Sequence, residues 1–142
     1  MKTFLPYIHT VQYYETDKMG ITHHSNYIRW MEEARIDFLA QMGWDYVKLE
    51  SLGIVSPVTA VECKYMVSTC FSEKISIQVS IAEFKGVRLK LAYTMKNSEG
   101  QIVCQAHSEH CFLDASGNLI RLKKEYPDFY DALTEYAGSN PA

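Results

Sequence analysis

The chain has no surplus of basic residues: 14 Lys and Arg face 17 Asp and Glu, for a net charge of −3. Nothing is available to neutralise a nucleic-acid backbone, so a nucleic-acid partner is not expected. Long apolar runs are also missing. No stretch approaches the roughly 20 apolar residues of a membrane helix, and Met1 to Pro6 does not read as a signal peptide. The expectation is a cytoplasmic protein with no membrane association. Cysteine is sparse, with Cys63, Cys70, Cys104 and Cys111 and no CxxC pair. These read as reduced thiols, each a small buried hydrophobe. There is no linker, internal repeat or low-complexity segment, so residues 1–142 are expected to form a single domain. Only 138–142 look like a loose tail.

Apolar residues are plentiful. They make up 47% of the chain, including ten Tyr, six Phe and two Trp, enough for a core rich in sheet. Residues 7–15 read as a first strand and 16–24 as a polar loop. From Ser25 to Gln41, Tyr27, Met31, Ala34, Phe38 and Met42 recur at helical steps. Ile28, Trp30 and Leu39 widen the stripe, which predicts a largely buried helix. A short helix follows at Tyr46–Ser51. Strands are predicted over 54–67, 74–83, 87–96 and 101–113; the middle two alternate cleanly between apolar and polar. Pro127 opens a last helix that Gly138 stops. The economical assembly is α+β: one long helix against a curved antiparallel sheet. A single helix is too narrow to cover such a sheet, so a homodimer is expected.

The chemistry concentrates in residues 13–37, YYETDKMGITHHSNYIRWMEEARID. A carboxylate, Asp17, and a glycine, Gly20, precede the start of the buried helix. Helix N-termini carry unpaired N–H groups that can receive a developing oxyanion. A nearby carboxylate can activate water or attack directly. Asp17 with the helix start is therefore a plausible acyl-transfer site, although an aspartate in this position is more often a helix-dipole partner. Arg35 falls near the apolar side of the helix and should pair with Glu32. Glu33 is expected on a solvated face with Arg29 and Asp37. The histidines do not suggest a metal site: His23 and His24 should diverge, and His107 and His110 fall on opposite strand faces.

The pattern Asp17-x-x-Gly20-Ile21-x-x-His24-x-Asn26-Tyr27, followed by Glu32-x-Ala34-Arg35, resembles the 4-hydroxybenzoyl-CoA thioesterase family, which includes the tol-pal-associated acyl-CoA thioesterases. The resemblance implies the hotdog fold, a long central helix wrapped by a curved antiparallel sheet. It implies a dimer, or a dimer of dimers, that hydrolyses acyl- or aroyl-CoA without metal or organic cofactor. The family's catalytic aspartate falls on Asp17. Its oxyanion-polarising backbone N–H falls on His24. Gly20, Ile21, Asn26 and Tyr27 are then expected to shape the acyl pocket, and Lys85 and Arg88 to meet the CoA phosphates. An acyl-carrier protein is the alternative carrier. In other hotdog branches the carboxylate lies on the helix, which makes Glu32 or Glu33 the fallback. Two rival readings remain open: an acyl-thioester dehydratase or hydratase using a histidine side chain, and a non-catalytic acyl-CoA-binding module.

Overall fold

The computed structural model describes residues 3–137. The element order is β1 (Tyr7–Thr10), a 3-10 turn at Tyr13–Glu15, α1 (Ser25–Gln41), α2 (Tyr46–Ser51), β2 (Val58–Tyr65), β3 (Lys74–Phe84), β4 (Arg88–Lys96), β5 (Ile102–Cys111), α3 (Leu122–Glu125) and α4 (Pro127–Ala137). The strands form one antiparallel sheet in the order β1-β3-β4-β5-β2. β1 pairs with β3 in the register Tyr7–Ile77 to Thr10–Lys74. Gly138 and the tail 138–142 lie outside the described residues.

The chain divides into two compact units. The first comprises the described residues up to Phe38, Glu62–Val79 and Tyr93–Ala106. Its core takes Tyr27, Trp30, Met31, Ala34 and Phe38 from one stripe of α1, with Ile75, Ile77, Val79, Met95 and Val103 from the strands, all buried. The period-two pattern of β3 and β4 therefore marks their buried face. The second unit comprises Leu39–Val61, Ser80–Ala92 and the described residues from His107 onward. There Phe129 packs between Trp44 and Phe112, with ring centroids 4.7 and 5.5 Å away.

Four departures from the sequence reading have local causes. β1 stops at Thr10 because the Glu15 carboxylate captures the Gln12 N–H at 2.8 Å and turns the chain into the 3-10 segment. Tyr13 and Tyr14, expected in the strand, are left exposed. α1 is less enclosed than expected, since Ile28 and Ile36 face outward. β2 is shorter than predicted and exposes Val58, Val61 and Tyr65, because it lies at the sheet's edge. Of the cysteines, Cys104 is buried, Cys63 and Cys111 are half-buried, and Cys70 is exposed, so burial does not describe all four.

Candidate active site

The loop from Thr16 to His24 is closed by its own main chain. Asp17 N–H donates to Ile21 O at 2.9 Å, and Gly20 N–H donates back to Asp17 O at 3.0 Å. Thr16 and Thr22 form an antiparallel bridge. Gly20 sits at φ +79°, a left-handed conformation that glycine adopts without cost. The turn presents Asp17, whose Oδ1 accepts the Met19 N–H at 2.8 Å. Among the described residues no hydrogen bond takes up its second oxygen.

The loop feeds directly into α1. The His23 ring Nδ1 accepts the Ser25 N–H at 3.2 Å, a side-chain cap on the helix start. His24 O accepts the Tyr27 N–H at 3.3 Å. The His24 N–H, between these two, has no partner among the described residues. The two imidazoles stack, with centroids 4.3 Å apart and planes at 28°, instead of diverging. They belong to a turn, where neighbouring side chains need not alternate as they do in a strand.

Opposite this loop lies the end of β2 and the residues after it. Tyr65 OH donates to His24 O at 3.3 Å, and its ring meets Tyr27 edge-on at 5.0 Å. Its hydroxyl is pushed up to about 12, by burial first and then by the neighbouring Cys63 thiol. A chain of hydroxyls lies behind: Tyr27 OH to Thr69 Oγ1 at 3.0 Å and Thr69 Oγ1 to Thr22 Oγ1 at 2.6 Å. Thr22 N–H also donates to Thr69 O at 2.8 Å. Burial raises the Tyr27 hydroxyl despite its bond to Thr69.

Together these segments line a cavity of about 320 Å³, bounded by Asp17, Ile21, Thr22, His24, Tyr27 and residues 65–68. All of them belong to the first unit. Of the residues expected from the sequence, Asp17, Ile21, His24 and Tyr27 meet here. Gly20 and Asn26 do not line the cavity. Asn26 instead ties the loop, its Nδ2 donating to Glu15 O at 2.9 Å and to His23 O at 3.2 Å. Lys85 and Arg88 are not among the lining residues either; Lys85 pairs with Glu83 at 3.0 Å. The sequence reading missed Thr22, Tyr65, Met66, Val67 and Ser68 as lining residues. For Tyr65, Met66 and Val67 the only signal is apolar residues at the end of a strand, which reads equally well as core; Thr22 lies inside the motif, and Ser68 carries no such signal.

The carboxylates on α1 are otherwise engaged. Glu32 accepts from Arg35, with Nε at 3.0 Å, as their spacing predicts. Glu33 is not simply solvated: Tyr7 OH donates to it at 3.4 Å, and His9 Nδ1 lies 3.3 Å away.

Residues 11–133 match the thioesterase-like superfamily, and the chain belongs to that superfamily. It is 32% identical over 123 residues to a candidate acyl-CoA thioesterase of Bacillus subtilis, covering 86% of this chain and 89% of the relative. A 1,4-dihydroxy-2-naphthoyl-CoA hydrolase of Thermosynechococcus vestitus is 28% identical over 108 residues, 75% of this chain and 74% of its own. Among solved structures, a DHNA-CoA thioesterase from Staphylococcus aureus superposes with a TM-score of 0.88 at 30% identity, covering 92% of this chain and 89% of the other. The fold is the α+β hotdog arrangement that the sequence resemblance implies.

Proposed function

We propose that this protein hydrolyses the thioester of an acyl- or aroyl-CoA, with Asp17 as base or nucleophile and the His24 N–H as oxyanion donor. One observation carries the reading: Asp17 and His24 border the same cavity, at the start of α1. A thioester carbonyl in that cavity would find the helix start ready to receive its oxyanion. Asp17 then takes a proton from water as the hydroxide adds, or adds its own oxygen to form an anhydride that water opens. In either course the C–S bond breaks and the thiol leaves. The apolar and aromatic walls, Ile21, Tyr27, Tyr65, Met66 and Val67, suit an acyl or aroyl group. The helix acids Glu32 and Glu33 are absent from the lining, which favours hydrolysis over a dehydratase that pairs a histidine with a helix acid.

Replacing Asp17 with Asn keeps its size and removes its basicity. Thiol release from an acyl-CoA panel should fall by at least about 10²-fold, with the fold intact by circular dichroism. A variant turning over at the wild-type rate would sink the assignment and move attention to Glu32 and Glu33. Label appearing in Asp17 after single turnover in ¹⁸O-water would mark it as the nucleophile, its anhydride opened by water at the aspartyl carbon.

We also propose that the protein is a homodimer. β2 is an edge strand, and Val58, Val61, Tyr65, Met66 and Val67 are exposed on and just beyond it. Such an edge is a template for pairing with a second copy.

A further inference from the structure

Hydrolysis at the proposed site needs Asp17 and the His24 N–H held at a fixed separation. The internal turn at 17–21 holds Asp17, but it does not reach His24. That link is made by Glu15. Its main-chain carbonyl accepts the His23 N–H at 2.8 Å and Asn26 Nδ2 at 2.9 Å. Glu15 therefore grips both ends of the loop. It is two residues before Asp17 along the chain, and it is hydrogen-bonded to the residue just before His24.

The side chain of the same residue is fixed from three directions. Glu15 is 4% exposed. Its Oε1 accepts the Gln12 N–H at 2.8 Å and lies 2.8 Å from His9 Nε2; its Oε2 accepts Trp30 Nε1 at 2.7 Å. One partner is Gln12, just before the 3-10 turn; one comes from β1 and one from α1. The His9 ring lies over Trp30, centroids 4.6 Å apart, and its Nδ1 faces Glu33 Oε2, which also receives Tyr7 OH. A buried carboxylate survives only where hydrogen bonds replace its water. Here those bonds also immobilise the carbonyl that organises the loop.

We infer that Glu15 is a positioning residue of the proposed site: its buried carboxylate, clamped by His9 and Trp30, fixes the carbonyl that sets Asp17 against the His24 N–H. The catalytic half of this statement rests on the hydrolase reading; the positional half concerns the loop alone.

The test is Glu15→Gln, which keeps the volume but turns one acceptor oxygen into a donor facing donors. Two quantities are read in the full-length protein: acyl-CoA kinetics and amide hydrogen exchange. The expected result is a kcat lower by about 10- to 100-fold with KM changed little, as for a misplaced reacting group. The His23 amide should exchange about tenfold faster while the Ile77 amide in β3 keeps its protection. If Glu15→Gln does not fold, Trp30→Phe removes one donor and keeps a ring, and should move both quantities the same way by less. A fall in kcat with His23 still protected overturns the inference, and so does faster exchange with kcat unchanged. If the wild type hydrolyses no acyl-CoA, the hydrolase reading fails, and the exchange measurement alone decides the positional claim.

Discussion

At His24 the main chain and the imidazole make separate contributions, and substitution separates them. The proposed donor is the backbone N–H, which any residue except proline supplies. The ring lies on the neighbouring His23 and meets Tyr65 edge-on at 6.2 Å. His24→Ala should therefore cost at most about tenfold in turnover. His24→Pro should be close to inactive, a loss of about 10²-fold or more for an oxyanion donor. Equal, complete losses in two folded variants would instead assign the chemistry to the imidazole. Glu15 carries a second consequence, in pH. Burial alone would raise its carboxyl, but bonds from Gln12 N–H, His9 and Trp30 outweigh burial and hold it below the ordinary value. The folded state thus binds this proton less readily than the unfolded chain. The resulting stability is present above the ordinary glutamate value of about 4.3 and is lost as pH falls through the lower folded value. Urea midpoints should show wild type ahead of Glu15→Gln at neutral pH, with the gap narrowing in acid. A gap that does not vary with pH would rule out this linkage.

Among the elements, the 17–20 turn is the most exacting. Gly20 has open space where a Cβ would sit, so an alanine there meets no clash. Its φ of +79° is nevertheless unfavourable for any L side chain. Gly20→Ala should lower stability by about 1 kcal/mol from this conformational penalty alone, read as a shift in denaturant midpoint. A neutral result would mean the turn relaxes to another conformation. Sequence patterning locates α1 and α2 at their observed bounds, because helical spacing and the glycines after them are local signals. The alternation in β3 and β4 is equally local. The end of β1 is not legible, because it depends on a carboxylate five residues on. Nor is the Thr22–Thr69 contact, which joins residues 47 apart that are each ordinary in isolation. Tyr65, Met66 and Val67 are not legible for a different reason: apolar residues on an exposed edge and in a core have the same composition. Asp17, Ile21, His24 and Tyr27 could be found because one short motif holds them together.

For the whole molecule, no helix among the described residues is long and apolar enough to cross a membrane. Exposed apolar side chains include a group along β2 and, on α1, Ile28 and Ile36; others, such as Val47 and Phe71, are scattered elsewhere. If a second copy covers β2, sedimentation at micromolar concentration should show a dimer, and Val61→Lys should shift it toward monomer by placing a charge on the pairing edge. A folded, active monomer would refute the assembly. The family match runs over residues 11–133, so the family assignment applies to nearly all of the described residues.

The cavity is bordered by only two stretches of chain, 17–27 and 65–68. The first holds the groups proposed to react together with the wall residues Ile21 and Tyr27; the second adds wall, and of its residues only Tyr65 is bonded to the first, through His24 O. Part of the wall, residues 66–68, is therefore separate in sequence from the groups proposed to react. Exchanging the three neighbouring codons for 66–68 would reshape that wall and leave the proposed reacting groups in place. For the engineer, the same division makes 66–68 the region to randomise and 17–27 with Tyr65 the region to leave alone.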